Sequence, residues 1–500
     1  MSENTGKVTA PRHYVGGEWV DLDAAGDLPI VNPATGETLT RVSLASAVGV
    51  GRAVERAHAA FPAWRNTAPV IRARYMFVLK ERMERRYDEL ARTITREHGK
   101  TLEDARGEVR RAIENVETAA GIPTMMMGYG LEDGAATGID EEVIRQPLGV
   151  FAAICPFNFP AMVPFWFWPY AVACGNTYIV KPSEQVPLSM RFVAELVDDI
   201  GLPPGVFNVV NGGRETVEAL IDHPLVRGIS FVGSSAVAQA VYTRGAERGK
   251  RVQAQGGAKN VLVVMPDANV EKTVQNIIGS AFGAAGQRCL ANSILMTVGR
   301  ARERVMPPLR EAVRALRVGD GIEPTSEMGP VISARAKSRI TGYIERGIAA
   351  GATLSVDGRT VPAAAGPGCF VGPTIFENVR PDMELARDEI FGPVLSVIHV
   401  DSLRDAIALI EASPYGNAAS IFTESGAAAR EFRYRVPTGN IGINVGVAAP
   451  MAFFPFSGAK GSFFGTLHGQ GRDAVDFFTE KKVVITRWFD TPDVAGHHGF

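Results

Sequence analysis

Cysteine is scarce in this chain, which has only four in 500 residues: Cys155, Cys174, Cys289 and Cys369. None of them forms a C-x-x-C pair, which argues against a disulfide framework and a zinc site, and we expect no bound metal. An excess of one charge is also lacking, because 52 basic residues stand against 54 acidic ones without a long run of either. This balance gives no sign of a nucleic acid or a membrane as partner. The opening segment MSENTGKVTA lacks the apolar core of a signal peptide, so we expect a reduced, cytoplasmic protein.

Charged residues are absent from residues 146–180, a stretch long enough to suggest a transmembrane helix. Prolines at positions 147, 156, 160, 164 and 169 interrupt any continuous helix there. The stretch is therefore expected to fold as strand, irregular loop and short helix, all buried. Its aromatic residues are expected mainly to pack in a core, although some could line a tunnel: Phe157, Phe159, Phe165, Trp166, Phe167 and Trp168.

Short β-rich runs alternate with helical segments through most of the chain. After an irregular arm at residues 1–50, apolar residues recur at helical spacing near 46–64, 68–98 and 101–120. Strand runs follow at TYIV, VFNVV, GISFV, RVQAQ, NVLVV and VLSVIHV, with helices between most of them. This alternation predicts an α/β fold with doubly wound parallel sheets, which bind ligands at the carboxyl ends of their strands. A second α/β domain is expected to begin at NVLVV.

The last patterned segment is the β-rich run EKKVVITRWF at residues 480–489. It follows the second domain without a local partner strand. We expect it to pair with another chain in an oligomer, unless it forms an edge strand within its own chain.

No G-x-G-x-x-G sequence follows any predicted strand, so the usual dinucleotide fingerprint is absent. The chain has instead the motifs ICPFNFP (154–160), IVKPSE (179–184), FVGSS (231–235), GQRC (286–289) and EIFGPV (389–394). In this order and at this spacing they resemble the aldehyde dehydrogenase superfamily over nearly the whole chain. GEVRRAIENVETAAGIPTMMMG (107–128), GAKN (257–260) and PMAFFPFSGAKGSFFGTLHG (450–469) further resemble the coenzyme A-acylating methylmalonate-semialdehyde dehydrogenases.

The resemblance implies two doubly wound α/β domains and a small β oligomerisation element. A discontinuous NAD-binding domain would comprise residues 1–129 and 147–257, and a catalytic domain residues 258–455. Residues 130–146 and 474–490 would form the oligomerisation element. The family also implies a homotetramer, built as a dimer of dimers.

By the same resemblance Cys289 is the nucleophile, and Asn158 donates a hydrogen bond to the oxyanion that forms when a thiolate attacks an aldehyde. A free cysteine has a pKa of about 8.5, so backbone amides or Arg288 would have to favour the thiolate. The residues alone leave plainer roles open, which are inert burial for a cysteine and support of a turn between prolines for Asn158. The other three cysteines are expected to be inert.

The cofactor residues are likewise assigned by resemblance. Lys181 and Glu184 would contact the adenosine ribose, and Ser234 would open a helix towards the pyrophosphate. A carboxylate at position 184 repels a 2′-phosphate, so NAD is expected rather than NADP. The remaining assignments place residues beside Glu184 or around the nicotinamide: Phe157, Gln185, Gly256 and Glu389. A surface carboxylate is the plainer reading of Glu389.

One position departs from the hydrolytic members of the superfamily. They have a glutamate that activates water at the start of the segment E-L-G-G-K, whereas this chain has Gln255 in the segment QGGAK. An amide cannot accept a proton at neutral pH, so the acyl-enzyme is expected to wait for the thiol of coenzyme A. Alternatively, Gln255 is only a strand-end residue and another base serves.

Arg111 and Arg288 are expected to bind the distal carboxylate of the substrate, because a guanidinium binds a carboxylate through two hydrogen bonds. Only the resemblance selects Arg111. Periodicity places it on the solvent face of its helix, and Arg110 is the neighbouring alternative.

Together these features predict NAD-dependent oxidation of methylmalonate or malonate semialdehyde, with loss of carbon dioxide and acyl transfer to coenzyme A. The products would be propionyl-CoA or acetyl-CoA, in the breakdown of valine, inositol or pyrimidines. Two alternatives stay open. One is a hydrolytic aldehyde dehydrogenase that releases a free acid, and the other is a cysteine hydrolase that pairs Cys289 with a histidine such as His468.

Overall fold

The computed structural model describes residues 8–489. Its largest sheet contains the strands β1 (His13–Val15), β2 (Glu18–Val20), β7 (Val150–Ile154), β8 (Thr177–Lys181), β9 (Phe207–Val209), β10 (Val226–Val232), β11 (Arg251–Gln255) and β21 (Phe463–Phe464). They lie in the order β2-β1-β9-β8-β7-β10-β11-β21. The strands from β9 to β11 run parallel, and β1, β2 and β21 pair antiparallel with their neighbours. The predicted parallel sheet is therefore confirmed, with antiparallel strands added at both edges.

A second large sheet follows in the chain. Its strands are β12 (Asn260–Val264), β13 (Asn292–Val298), β14 (Thr353–Val356), β15 (Thr374–Glu377), β16 (Val394–Val400), β18 (Ala418–Phe422) and β19 (Asn440–Ile443). Their order is β14-β15-β16-β13-β12-β18-β19, and all pairs except β14–β15 are parallel. The apolar run of β12 is buried along its whole length, as expected for a strand covered on both faces.

Three small sheets complete the β structure. Two of them are the antiparallel pairs of β3 (Ala24–Val31) with β4 (Thr38–Ala45) and of β17 (Tyr415–Gly416) with β20 (Ala459–Lys460). The third consists of β5 (Tyr129–Leu131), β6 (Ile139–Pro147) and β22 (Thr479–Arg487).

The terminal strand β22 has a partner within its own chain. It pairs antiparallel with β6 over its full length, from Thr479 opposite Pro147 to Arg487 opposite Ile139. The alternative of an edge strand within its own chain is therefore confirmed. The partner lies more than 300 residues earlier, and no local pattern reveals it. β22 is the outer strand of this sheet, and the predicted oligomer stays a prediction.

The helices cover the two large sheets. They are α1 (Ala47–Asn66), α2 (Pro69–Arg85), α3 (Tyr87–His98), α4 (Leu102–Ala120), α5 (Ile122–Met125), α6 (Met162–Phe165), α7 (Trp168–Cys174), α8 (Leu188–Asp199), α9 (Arg214–Asp222), α10 (Ser235–Glu247), α11 (Val270–Phe282), α12 (Ala301–Arg314), α13 (Ala334–Ala349), α14 (Glu384–Arg387), α15 (Leu403–Ala412), α16 (Gly426–Arg435) and α17 (Gly471–Phe478). The single helix expected near 68–98 is wrong, since it divides into α2 and α3 at Arg86, whose backbone is not helical. Neither glycine nor proline marks that break. α2 and α3 both pack on α4 and α8, and α2 also packs on α7.

The uncharged stretch at residues 146–180 folds as β7, a loop, α6, α7 and β8, and nearly all of it is buried. This confirms the prediction made from its prolines. Within residues 8–489, no helix has both the length and the apolarity to cross a membrane. Phe165, Phe167 and Trp168 are fully buried in the core.

The two large sheets contribute opposite ends to one region. From the first sheet come residues at or just after carboxyl ends of strands, such as Asn158 after β7 and Gln255 at the end of β11. From the second come residues at or before amino ends, such as Asn260 at the start of β12 and Cys289 ahead of β13. The expectation that ligands bind at carboxyl ends therefore describes only the first sheet. The expected domain boundaries stay a prediction.

Candidate active site

Cys289 is partly buried and lines two cavities. The first, called here the thiol cavity, is mostly apolar and is lined by Arg111, Glu114, Asn115, Phe159, Met162, Trp166, Arg288, Cys289, Leu290, Val447, Ala449, Pro450, Ala452, Phe456 and Gln470. The second, called here the Glu389 cavity, includes Ala258, Gly286, Glu389 and Phe391 in its wall. Cys289 and Arg288 line both. The sulfur is thus placed between two spaces, as a nucleophile that meets two reactants requires.

The backbone around Cys289 is held firmly. Ahead of it, Ala284, Ala285 and Gly286 have positive φ angles of 48°, 53° and 70°, which turn the chain sharply out of α11. The carbonyl of Cys289 accepts hydrogen bonds from the side-chain amides of Asn260 and Asn417, both at 2.8 Å. These two residues lie at and just before the amino ends of β12 and β18, so the second sheet fixes the position of the thiol.

Burial disfavours the thiolate form of Cys289 in this structure. Desolvation and the nearby Glu389 carboxylate raise its pKa to about 12. The backbone amides of Cys289 and Leu290, together with Arg288, act in the opposite direction and lower the pKa. The amides and the arginine expected to help are therefore present, but desolvation outweighs them.

A buried ion pair supports the loop that carries Asn158. Lys100 Nζ lies 2.6 Å from Glu108 Oε2, with both side chains inaccessible to water. The same ammonium donates to the Asn158 carbonyl at 2.7 Å, and Glu108 Oε1 accepts from the amides of Ala161 and Met162 at 2.8 and 3.1 Å. The loop after β7 is thus bound at three backbone positions.

The side-chain amide of Asn158 is buried and donates to the carbonyl of Gln287 at 3.0 Å. Gln287 lies two residues before Cys289. An amide nitrogen has two hydrogens, so the second remains for an oxyanion formed at the sulfur. Support of the loop is provided by Lys100 and Glu108, which leaves the amide of Asn158 available for the role expected of it.

The residues assigned to the adenosine end of NAD lie at carboxyl ends in the first sheet. Lys181 ends β8 and pairs with Glu184 at 3.2 Å, and Gln185 is exposed beside them. Ser234 is the N-cap residue of α10, and its side chain makes no capping hydrogen bond. The amides of that first turn are therefore free for an anion.

Two consecutive glycines, Gly256 and Gly257, lie at the position assigned to the nicotinamide end of NAD. A Cβ on Gly256 would lie 2.8 Å from the Gly461 carbonyl and 2.9 Å from Ser235 Oγ, so no larger residue fits there. Ser235 Oγ donates to Gly461 at 2.6 Å and accepts from the amide of Gly257 at 2.9 Å. These hydrogen bonds connect the segment after β11 to the first turn of α10 and to Gly461.

Glu389 faces this same cavity and is not a surface carboxylate. Its Oε1 accepts from the amide of Ala258 at 2.9 Å, and burial raises its pKa to about 7. The buried Lys259 ammonium makes no hydrogen bond to the residues described here, and burial lowers its pKa to about 8. Phe157 contacts the opposite side, with its ring edge-on to Phe391 at 5.8 Å.

Gln255 is buried at the end of β11 and does not act as a base in this geometry. Its Nε2 donates to the Phe456 carbonyl at 3.1 Å, while its Oε1 has no partner among the described residues. Phe456 lines the thiol cavity. The amide therefore fixes the wall of that cavity, and no carboxylate replaces it at this position.

The two predicted substrate arginines both line the thiol cavity. Arg111 is half-buried, with 37% of its side chain exposed, and pairs with Glu114 at 3.0 Å. The solvent-facing position expected from helical periodicity is wrong for Arg111, because the chain around 447–456 covers that face of α4. Arg110 points elsewhere and binds Glu84 at 2.7 Å. Arg288 forms an ion pair with Asp104 and donates to the Gly279 carbonyl at 3.2 Å.

His468 is not paired with Cys289. Its Nδ1 lies 3.2 Å from Asp473 and its Nε2 lies 3.3 Å from the Gly458 carbonyl, so both ring nitrogens are occupied. It lines neither of the two cavities that Cys289 borders. This arrangement removes the observation on which a cysteine–histidine hydrolase would depend.

A comparison with models of known families matches residues 19–484 to the aldehyde dehydrogenase family. The chain belongs to this family. Among its relatives is malonate-semialdehyde dehydrogenase 2 of Bacillus cereus, which is 48% identical over 483 residues, covering 96% of this chain and 99% of the relative. Malonate-semialdehyde dehydrogenase 1 of Geobacillus kaustophilus is 47% identical and is covered completely.

Solved structures of aldehyde dehydrogenases agree with the fold described above. Methylmalonate-semialdehyde dehydrogenase from Oceanimonas doudoroffii has a TM-score of 0.95 and 43% identity, covering 97% of this chain and 99% of that one. A candidate methylmalonate-semialdehyde dehydrogenase from Sinorhizobium meliloti, complexed with NAD, has a TM-score of 0.95 and 41% identity with the same coverage. The resemblance and the fold class expected from the sequence motifs are confirmed.

Some residues of this aldehyde dehydrogenase site escaped the sequence reasoning. They hold the loop after β7 or the backbone of Cys289 in place, or line the cavity: Lys100, Glu108, Asn260, Asn417, Phe456 and Gln470. Glu108, Asn260 and Phe456 lie within the motifs at 107–128, 257–260 and 450–469, which gave a usable signal. For Lys100, Asn417 and Gln470 the signal is burial of a polar side chain, which the sequence does not display.

Glu184 is expected to determine cofactor choice. Changing Glu184 to Ala removes the carboxylate that repels a 2′-phosphate while leaving Lys181 to attract it. We expect the preference for NAD over NADP to narrow by about tenfold or more, since each 1.4 kcal/mol is a factor of ten. The measurement is kcat/KM for both cofactors, with Glu247→Ala, which removes an exposed carboxylate in the last turn of α10, as the control. A preference for NADP in the unmodified enzyme would contradict the assignment.

The pKa of Cys289 predicts its reactivity. In the ligand-free enzyme, alkylation of Cys289 by iodoacetamide should rise about tenfold per pH unit up to pH 10, without a plateau near the ordinary cysteine value of about 8.5. Glu389→Gln should accelerate alkylation only above about pH 7, where the carboxylate is charged. The exposed Glu384→Gln is the control, and mass spectrometry of the modified peptide is the readout. A plateau below pH 9 would show that the thiol ionises easily.

Proposed function

We propose that this aldehyde dehydrogenase oxidises malonate or methylmalonate semialdehyde with NAD and transfers the decarboxylated acyl group to coenzyme A. The observation that carries the proposal is Gln255, an amide at the position where hydrolytic family members have their base. The names of the relatives support the substrate class, and an NAD complex of a relative supports the cofactor.

The thiol cavity suits a short carboxylated aldehyde. Its apolar wall, with Phe159, Trp166 and Phe456, surrounds the carbon chain. At its polar end stand Arg111 and Arg288, which would bind the distal carboxylate. Glu114 and Asp104 hold these guanidinium groups in place. The substrate carboxylate therefore has to compete with these two carboxylates for guanidinium N–H groups.

The reaction begins when Cys289 attacks the aldehyde carbon and a thiohemiacetal forms. The negative charge that develops on the aldehyde oxygen is met by the free N–H of Asn158, whose position Lys100 fixes through the carbonyl of the same residue. Electrostatic stabilisation of this kind is commonly the largest contribution of a protein to such a step, with one donor worth about 10²–10³ in rate.

Bound NAD would supply the hydride acceptor, and loss of hydride from the adduct would leave a thioester on Cys289. The cavity that contains Glu389 is the space available on that side of the sulfur. Lys181, Glu184 and Ser234 would bind the adenosine and pyrophosphate parts, and Gly256 and Glu389 the nicotinamide end. The amides after Ser234 are free to donate, one carboxylate oxygen of Glu389 accepts from Ala258, and the backbone at Gly256 is closely approached by Gly461.

The thioester has a β-carboxylate, bonded to its α-carbon. Loss of carbon dioxide is favoured there because the thioester carbonyl stabilises the resulting enolate, which then takes up a proton. The sulfur of coenzyme A then attacks the carbonyl and Cys289 leaves. A thiol ionises far more readily than water and needs no base at position 255. The products would be acetyl-CoA from malonate semialdehyde and propionyl-CoA from methylmalonate semialdehyde.

The assembly and the location follow the same proposal. We propose a homotetramer formed as a dimer of dimers, with residues 130–146 and 474–490 as the oligomerisation element, working in the cytoplasm. The outer strand β22 exposes Val483 and Ile485, which supports this surface as the interface. A panel of semialdehydes with NAD, with and without coenzyme A, tests the activity itself. Full multiple turnover to a free acid without coenzyme A would favour the hydrolytic alternative.

Arg111 should matter through the carboxylate of the substrate. Arg111→Leu should lower kcat/KM for malonate semialdehyde by about 30-fold or more, because truncating one partner of a buried charge pair costs about 2–5 kcal/mol. The loss for propanal, which has no carboxylate, should be small. Arg110→Leu is the matched control, since its side chain binds Glu84 away from the cavity. Equal losses for both aldehydes would assign Arg111 a structural role.

Gln255→Glu places a carboxylate at the end of β11. The variant tests whether the missing base at position 255 is what keeps water from hydrolysing the thioester. The variant should raise the rate of acid formation without coenzyme A. The gain should remain below the 10²–10⁴-fold of a well-placed general base, because the Phe456 carbonyl that now accepts from Gln255 would repel the new carboxylate. Rates of NADH and free-acid production are measured with and without coenzyme A. Gln253→Glu, two residues earlier on β11, is the control. An unchanged acid rate would mean that another group governs deacylation.

A further inference from the structure

Gln470 has a backbone conformation that normally requires glycine. Its φ of 69° and ψ of 171° lie in a region that is almost exclusive to glycine and strains a residue that has a side chain. Glycines flank it on both sides, at 469 and 471, yet the strained position itself has a long side chain.

The strain at Gln470 is maintained by bonds on both sides. The carbonyl of Gly469 accepts from the amide of Phe456 at 2.8 Å, and the amide of Gly471 donates to the carbonyl of Ala452 at 3.0 Å. The carbonyl of Gln470 itself accepts from Ala474 and begins α17. Phe456 and Ala452 are both part of the thiol cavity wall, so these bonds aim residue 470 at that cavity.

The side chain of Gln470 ends in the thiol cavity without a partner. The residue is only 3% exposed and lines the cavity together with Cys289 and Arg111. Its Oε1 is buried and makes no hydrogen bond within residues 8–489. Leaving a buried polar atom of an amide without a partner is unfavourable. Strain and desolvation therefore act together on one residue of the cavity wall.

We infer that Gln470 is a specificity-determining residue whose amide binds a carboxylate oxygen of the semialdehyde beside Arg111. An ionised semialdehyde offers only acceptor oxygens, so the group that binds it is the NH₂ of the amide, turned towards the cavity. The assignment rests on the proposed function, which supplies the carboxylate. It explains why glutamine stands where the backbone favours glycine.

The test separates the side chain from the backbone. Gln470→Ala removes the amide and keeps the strain, and Gln470→Gly removes both. Each should lower kcat/KM for malonate semialdehyde by about 10–100-fold, mainly through KM, as expected when a hydrogen bond to a charged group is lost. Turnover of propanal should change by less than about threefold. Gln470→Gly should also have a higher midpoint of thermal unfolding than Gln470→Ala, because glycine adopts this backbone without cost.

Gln470→Glu adds a charge-reversal arm to the experiment. A carboxylate of nearly the same shape should repel the substrate carboxylate and raise KM further, with propanal again little affected. Normal activity of Gln470→Gly towards malonate semialdehyde, or equal losses for both aldehydes in all variants, would overturn the inference. Because glycine relieves the strain, that variant keeps the test intact if Gln470→Ala fails to fold. Absence of any preference for malonate semialdehyde over propanal in the unmodified enzyme would instead reject the proposed function, and this inference with it.

Discussion

The geometry around Cys289 depends on the ion pair of Lys100 and Glu108, which is completely shielded from water. Lys100 follows α3 and Glu108 lies in α4, and together they bind three backbone groups of the loop that contains Asn158. Removing one partner of such a pair costs about 3–5 kcal/mol, because the other charge stays buried. Apolar side chains could fill the same space, but they would form no directional bonds to the loop. The pair instead fixes the loop by directional bonds, which position the backbone of Asn158, Ala161 and Met162.

The two sheets divide the chemistry between them. The first sheet offers carboxyl ends of strands, with free helix amides and the Lys181–Glu184 pair suited to a dinucleotide. The second offers amino ends, where Asn260 and Asn417 hold the carbonyl of Cys289. The thiol lies between them in a dry environment that raises its pKa. With an amide at position 255, no carboxylate is present there to activate water, and the proposed transfer to a thiol depends on this feature.

Most of the fold could be predicted from the sequence, because short β-branched runs and amphipathic helices are recognisable from local patterns. The break at Arg86 was not predicted, since neither glycine nor proline marks it. Nor was the strand that pairs with β22, because that partner lies far away in the chain. The candidate reactive residues were proposed from motifs of the family, whereas periodicity alone placed Arg111 in solvent. Lys100, Asn417 and Gln470 could not be found, since their roles depend on being buried next to particular backbone groups. The strained backbone at Gln470 likewise results from hydrogen bonds that its neighbours form in the folded chain, and the sequence does not reveal these bonds.

The central claim is that an acyl group remains on Cys289 until a thiol removes it. The most direct measurement is to mix enzyme, NAD and malonate semialdehyde without coenzyme A, quench the reaction after a few seconds and analyse the peptide that contains Cys289 by mass spectrometry. The account predicts one acetyl group per subunit on Cys289, none in Cys289→Ala, and rapid loss of the adduct with formation of acetyl-CoA when coenzyme A is added. An unmodified Cys289 peptide under continuing NADH production, with acid as the product, would contradict it.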